Sequence, residues 1–173
     1  MEVPVPDHHH AVPPHVRGAR PQDVAEIHAM VGELAAFERL TDEVTGTADD
    51  LHTALFGESP RVFAEVAEGA GGALVGFSLF FYTFSTFRGR TGLWVEDLYV
   101  RPGHRGQGIG RMLLASLGRR CVAENLGRLE WAVLDWNEDA IEFYTGEGAR
   151  MLDEWTSCRL EGPGLWRLAD KAR

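Results

Sequence analysis

Between Leu93 and Asn125 the chain passes from an apolar, strand-like stretch, LWVEDLYV, through RPGHRGQ into a helical stretch that opens at Gly110. Glycine stands at 106, 108 and 110, where the two meet. Without a Cβ, these positions let a ligand approach the backbone closely. The first N–H groups of a helix have no partner inside it and favour an anion. Strand, bare loop and helix in this order commit this part of the chain to a sheet with a helix packed on it. Taken alone, the run reads either as a phosphate or pyrophosphate cradle or as a glycine-rich turn.

The rest of the chain fits around that unit. His15–Val16–Arg17 reads as a short first strand, and Pro21 as a helix-start residue. Val24, Ile27, Val31, Leu34 and Phe37 recur at helical spacing. Thr47 caps a second short helix, TADDLHTALF. Residues 61–68, 73–85 and 93–100 read as strands. A helix over 110–125 has Met112, Leu113, Leu117 and Cys121 on one face; a strand over 128–134 follows, then a helix from Asn137 to Gly146 and a late strand over 154–162. The order β-α-α-β-β-β-α-β-α-β predicts an α/β domain with a mixed sheet and helices on both faces. Residues 1–14 hold four of the eight prolines and three adjacent histidines, His8 to His10. They read as a disordered tail, leaving 15–173 as one domain.

Composition narrows the function. At 173 residues, 45% hydrophobic and 25% charged, the chain has material for one packed core. A net charge of −9 argues against a nucleic-acid binder and suits either a cationic small substrate or plain solubility. No apolar run is long enough to span a membrane, and MEVPVPDHHHAVPPH lacks the pattern of a secretory signal, so a cytoplasmic protein is expected. Cys121 and Cys158 have no metal-site spacing, and adjacent histidines on a flexible chain rarely close a site, so no metal is expected. Cys121 falls on an apolar helix face and reads as packing.

Two nucleotide readings of the glycines fail. A P-loop requires a Lys that is absent here, and a dinucleotide fingerprint requires Gly where Arg111 stands. A coenzyme A cradle remains. Arg105-x-x-Gly108-x-Gly110 fits the pattern Q/R-x-x-G-x-G/A, preceded by VEDLYVRPGH and followed downstream by WNEDAIEFYTGEGA. On these motifs the chain resembles the GNAT superfamily of N-acetyltransferases over roughly residues 15 to 169. GELAAFERLTDEV, LWVEDLYV and DWNEDAIEFYTGEGA are similar to its diamine (spermidine/spermine) and thialysine acetyltransferase group.

The resemblance implies a mostly antiparallel, twisted sheet of about six or seven strands and a homodimer. It also implies direct transfer of an acetyl group from acetyl-CoA to a primary amine: a diamine, a polyamine or a lysine-like amino acid. Tyr144 takes the place of the general acid to the leaving thiolate, and Glu96 that of the relay for the amine proton. Strand alternation sends Glu96 and Asp97 to opposite faces. The backbone at Leu98, Tyr99 and Val100 would meet the pantetheine arm. Arg105, Gly106, Gln107, Gly108, Ile109, Gly110 and Arg111 would hold the pyrophosphate. Asn137 reads equally as a helix cap and as a coenzyme ligand. Glu33, Glu38, Asp97 and Trp136 would line the acceptor cleft, with Glu38 holding the distal amine. Arg88 and Arg90, in FRGRTG, would stand at the acceptor mouth and favour a substrate carrying a carboxylate. Thr145, Gly146 and Glu147 depart from the basic residues that often follow the tyrosine in the superfamily. The alternatives are a protein lysine or N-terminal acetyltransferase and a non-catalytic coenzyme A sensor.

Overall fold

The computed structural model describes residues 13–172, so most of the tail expected over 1–14, and its histidines, lie outside the described residues. Two compact units meet in the chain between Ala132 and Val133. The first holds β1 (His15–Gly18), α1 (Val24–Glu38), α2 (Ala48–Phe56), β2 (Phe63–Glu68), β3 (Leu74–Ser85), β4 (Arg90–Val100), α3 (Ile109–Ala123) and β5 (Leu129–Trp131). The second holds α4 (Glu138–Gly146) and α5 (Pro163–Ala169).

The sheet order is β1-β2-β3-β4-β5. The first four strands pair antiparallel and β5 pairs parallel to β4. The mixed α/β architecture and the mostly antiparallel sheet are as expected, but among the described residues there are five strands rather than six or seven. The missing strand is 154–162, which pairs with no other strand, and every residue from 151 to 162 is exposed. Strands are stabilised by cross-strand partners and a covered face, and this segment has neither among the described residues. The strand expected over 128–134 is trimmed to three residues.

The core lies on both faces of the sheet. Ile27 and Met30 of α1 pack on Val66, Phe77, Leu79 and Tyr99. On the other face, Ile109 and Leu113 of α3 meet Ala67, Val75 and Val100, and Leu117 meets Phe80, Leu93 and Val95. Of the apolar faces predicted for these helices, Ile27, Val31 and Leu34 of α1 and Leu113, Leu117 and Cys121 of α3 pack on the sheet, whereas Phe37 is 41% exposed.

Charged pins fix the entry to α1. The Arg17 Nη1 donates to Asp23 Oδ2 at 2.7 Å and its Nε to Glu68 Oε2 at 2.7 Å. Asp23 is buried, 7% exposed, and also accepts the Arg20 N–H at 2.7 Å. The Arg17 guanidinium holds the Asp23 carboxyl below its ordinary range, against the opposing effect of burial. That stabilisation is present above the ordinary carboxylate pKa and fades as acid protonates Asp23. Arg17→Met leaves a buried carboxylate unpaired and should cost about 3 kcal/mol in denaturant unfolding at pH 7. The deficit should shrink towards pH 3; a pH-independent deficit would place the loss in packing instead.

Candidate active site

The register of β3 against β4 breaks once. Leu79 is opposite Asp97, but Phe80 is opposite Val95, so Glu96 is the extra residue of a β-bulge. Val95 and Leu98 both pack towards α3. The two residues between them, Glu96 and Asp97, occupy the place where strict alternation allows one. The expectation that these carboxylates face opposite ways is therefore corrected: the bulge suspends the two-residue period at this point.

Glu96 is exposed and its Oε2 accepts the indole N–H of Trp94 at 3.0 Å. Asp97 is more enclosed. Burial, followed by the negative charges of Glu96 and Glu38, pushes its carboxyl up to about 6. Glu38, in the last turn of α1, is itself raised by burial. Among the described residues neither Asp97 nor Glu38 has a hydrogen-bond or ion-pair partner. Three carboxylates thus share one neighbourhood without a cation to offset them, an arrangement that favours a cationic ligand or an accepted proton.

Glu33 has a different environment. Arg101 donates to it through Nη2 at 2.7 Å and through Nε, and Tyr99 donates its hydroxyl at 3.2 Å. The Arg101 hydrogen bond holds the Glu33 carboxyl below its ordinary range. Arg101 also pairs with Glu26 at 2.6 Å and donates to the Leu74 carbonyl at 2.9 Å. Glu33 is thus part of the clamp that fastens α1 to the end of β4, a long-range role that helical spacing gave no sign of.

Beyond the bulge, one edge of β4 is open. The Arg101 N–H donates to the Val75 carbonyl at 3.0 Å. Alternate residues, Tyr99 and Asp97, therefore direct their backbone groups towards β3, and Leu98 and Val100 direct theirs away from it. On that outer side β5 pairs only as far as Val95 opposite Trp131. The Leu98 N–H and C=O and the Val100 N–H lie past the end of this ladder, while the Val100 C=O accepts Arg105 Nε at 2.9 Å. Tyr99 contributes a buried ring rather than an outward backbone group.

The glycine loop follows. Gly106 and Gly108 have φ of 73° and 80°, a region that other residues rarely adopt, and a Cβ at either would meet nothing within 4 Å. Gly108 is the N-cap of α3, and the first helical bond runs from the Met112 N–H to its carbonyl at 3.0 Å. The N–H groups of Ile109, Gly110 and Arg111 precede that bond. In α2 the Thr47–Asp50 capping box closes the start, and in α4 Asn137 does so with Glu138 and Asp139 in the first turn. α3 has no side-chain cap and no acid in its first turn. Its donors and open glycines fit the pyrophosphate of a coenzyme. Gln107 is exposed, and its Nε2 donates to the Gly103 carbonyl at 3.3 Å.

In the second unit, Asn137 accepts the Ala140 N–H at 3.3 Å, so its capping role is realised. Tyr144 lies in the last turns of α4 with its ring centroid 5.2 Å from that of Phe143. Trp136 precedes the cap and is 50% exposed.

Arg88 and Arg90 do not reach the carboxylates. Arg90 pairs with Ser85 beside the hairpin turn, six residues before Glu96, and a strand of that length spans about 20 Å. This exceeds the length of a lysine side chain several times over, so the argument that these arginines select a carboxylate-bearing acceptor does not hold. Among the described residues no helix is long and apolar enough to cross a membrane, and no group of three or more His, Cys, Asp or Glu side chains is placed to hold a metal ion.

The raised Asp97 pKa has a stability consequence. Between its ordinary value of 3.8 and about 6 the folded chain binds more protons than the unfolded chain, so this residue costs stability as pH rises through that window. Asp97→Asn should raise Tm at pH 7.5 and much less at pH 4.5. Equal shifts at both pH values would show that the carboxylate titrates normally.

The chain matches the family described as Acetyltransferase (GNAT) over residues 24–148. It is 36% identical over 166 residues to a thialysine N-epsilon-acetyltransferase from Sus scrofa, covering 90% of this chain and 97% of that one. An L-ornithine N5-acetyltransferase from Arabidopsis thaliana is 29% identical over 194 residues, covering 87% and 85%. Among solved structures, an integron cassette protein from the mobile metagenome of V. cholerae superposes with a TM-score of 0.76 at 24% identity, covering 92% of this chain and 99% of that one, a likeness of fold. With its glycine-opened helix, open strand edge and family match in register, the chain belongs to the GNAT family of acetyltransferases.

Proposed function

We propose that this acetyltransferase moves the acetyl group of acetyl-CoA to a primary amine of a small molecule carrying a second positive charge: a diamine, a polyamine or a lysine-like amino acid. The observation that carries the proposal is the cluster of three carboxylates, Glu38, Glu96 and Asp97, which has no cation partner among the described residues. The similarity to proteins named for thialysine and L-ornithine acetylation supports the same class.

The chemistry follows from charge. An alkylammonium, with a pKa near ~10.4, arrives protonated and cannot attack. Asp97 holds it as counter-ion, and Glu96, exposed to water, relays its proton to solvent. The freed nitrogen attacks the thioester carbon and the C–N bond forms; as the C–S bond breaks the thiolate takes a proton from the Tyr144 phenol, and the nitrogen gives up its second proton through water, restoring the phenol. The outward backbone groups of Leu98 and Val100 hold the coenzyme arm. The N–H groups from Gly106 to Arg111 hold its pyrophosphate. Glu38 takes the distal charge of the acceptor, whereas Glu33 serves the fold. Trp136 and Asn137 belong to the same proposal as cleft and coenzyme contacts. Family resemblance extends it to a homodimer in the cytoplasm. A protein lysine or N-terminal amine is the alternative acceptor, and coenzyme A sensing without turnover is the alternative role.

The test is thiol release from acetyl-CoA across thialysine, ornithine, lysine, spermidine, putrescine, a monoamine and a basic peptide. Turnover of the diamine-like members, lost by at least about 100-fold in Tyr144→Phe with coenzyme A still bound, is the expected result. Selective turnover of the peptide would move the acceptor to proteins. Tight coenzyme A binding with no turnover of any amine would leave a sensor. Gly108→Ala forces a left-handed φ on a residue with a Cβ and should weaken coenzyme A about tenfold, measured by calorimetry.

A further inference from the structure

The motif's first residue, Arg105, is engaged with β4 and α1. Its Nε donates to the Val100 carbonyl at 2.9 Å. Its guanidinium carbon stands 4.9 Å from the centre of the Phe37 ring and 5.6 Å from that of Tyr99. The side chain is folded back over β4 and onto the last turn of α1. A guanidinium bonded and stacked in this way is held on the Val100 carbonyl and the Phe37 and Tyr99 rings.

Phe37 is the residue before Glu38. The last core residue of α1 is Ala35, and beyond it the helix ends on Arg39 in a left-handed turn at φ 62°. The turn that carries Glu38 therefore lies past the buried part of the helix. Arg101 fastens α1 further back, at Glu26 and Glu33. Arg105 makes a contact that links the Glu38 turn to β4, at a strand position three residues beyond Asp97.

We propose that Arg105 is a positioning residue for acceptor specificity: it sets the spacing between Glu38 and Asp97, and with it the preference for acceptors with two separated charges. This rests on the acetyl-transfer reading above. A doubly charged acceptor needs both carboxylates at a fixed separation. A monoamine needs only the one beside the reacting nitrogen.

The test compares Arg105→Ala and Phe37→Leu with the parent chain, using ornithine or putrescine against propylamine, with coenzyme A affinity measured directly by calorimetry. Both variants lose the Arg105–Phe37 contact, and Arg105→Ala also loses the Tyr99 ring contact and the bond to the Val100 carbonyl, so KM for the doubly charged acceptor should rise about fivefold in Phe37→Leu and at least as much in Arg105→Ala. KM for propylamine and Kd for coenzyme A should stay within about twofold, well below that change. Arg105→Lys, which keeps the cation over the ring, should recover part of the loss. A weakened coenzyme A Kd with unchanged acceptor KM would overturn the proposal and return Arg105 to the coenzyme. Equal KM increases for both amines would overturn it too, since the effect would not run through Glu38. Failure of the parent chain to bind coenzyme A would remove the acetyl-transfer reading itself, and this role with it.

Discussion

One extra residue in β4 organises the candidate site. The bulge at Glu96 does three things at once. It places two acidic residues between successive α3-facing positions, so that both stay out of the core under α3. It shifts backbone parity, so that Leu98 and Val100, rather than the residues between them, turn their polar groups away from β3. It coincides with the end of β5 pairing, so that those groups meet no strand among the described residues. A strand without the bulge would bury one of the two carboxylates against α3 or expose the wrong backbone groups at the open edge. Bulges disrupt the ladder and strengthen local twist, which makes them costly in a central strand unless the re-aimed groups have a use.

Two arginines, Arg101 and Arg105, then tie α1 to the same strand. They follow directly on β4 and on the short turn after it, so a single stretch of chain supplies the strand, both pins and the glycine loop. Arg101 gathers Glu26, Glu33 and the Leu74 carbonyl, neutralising two of the acids on α1. Glu38, the third acid of α1, takes no part in this clamp. The acidic character of α1 therefore divides by position: acids near the Arg101 clamp serve the fold, and the one beyond the core remains unpaired.

Much of this could be read from the chain, because the relevant signals are local. Helical spacing located α1 and α3, aromatic and β-branched runs located β2 to β4, and the alternate glycines located the start of α3. What escaped depends on pairing between distant residues. LWVEDLYV reads as one continuous strand, and its adjacent acids do not by themselves place a bulge; only the register with β3 shows it. Glu33 and Glu38 look alike on a helical wheel, and only Arg101, far along the chain, separates them. The segment 154–162 alternates like a strand, yet alternation without a partner edge does not make one. α5 carried signals that could have been used, with Pro163 in the first turn and Leu165 and Leu168 three residues apart.

The site is also where the chain departs from its own rules of stability. Elsewhere in the first unit, enclosed carboxylates have cations: Asp23 has Arg17, and Glu65 has Arg120. Asp97 and Glu38 have none and repel one another, so the fold holds an unfavourable arrangement in place. A ligand that supplies positive charge relieves it, and anything that binds the folded chain alone adds to its stability. Because the repulsion exists only when the carboxylates are ionised, that added stability must grow as pH rises through the Asp97 titration. On the acetyl-transfer reading proposed above, a cationic acceptor contributes at Asp97 what Arg17 contributes at Asp23.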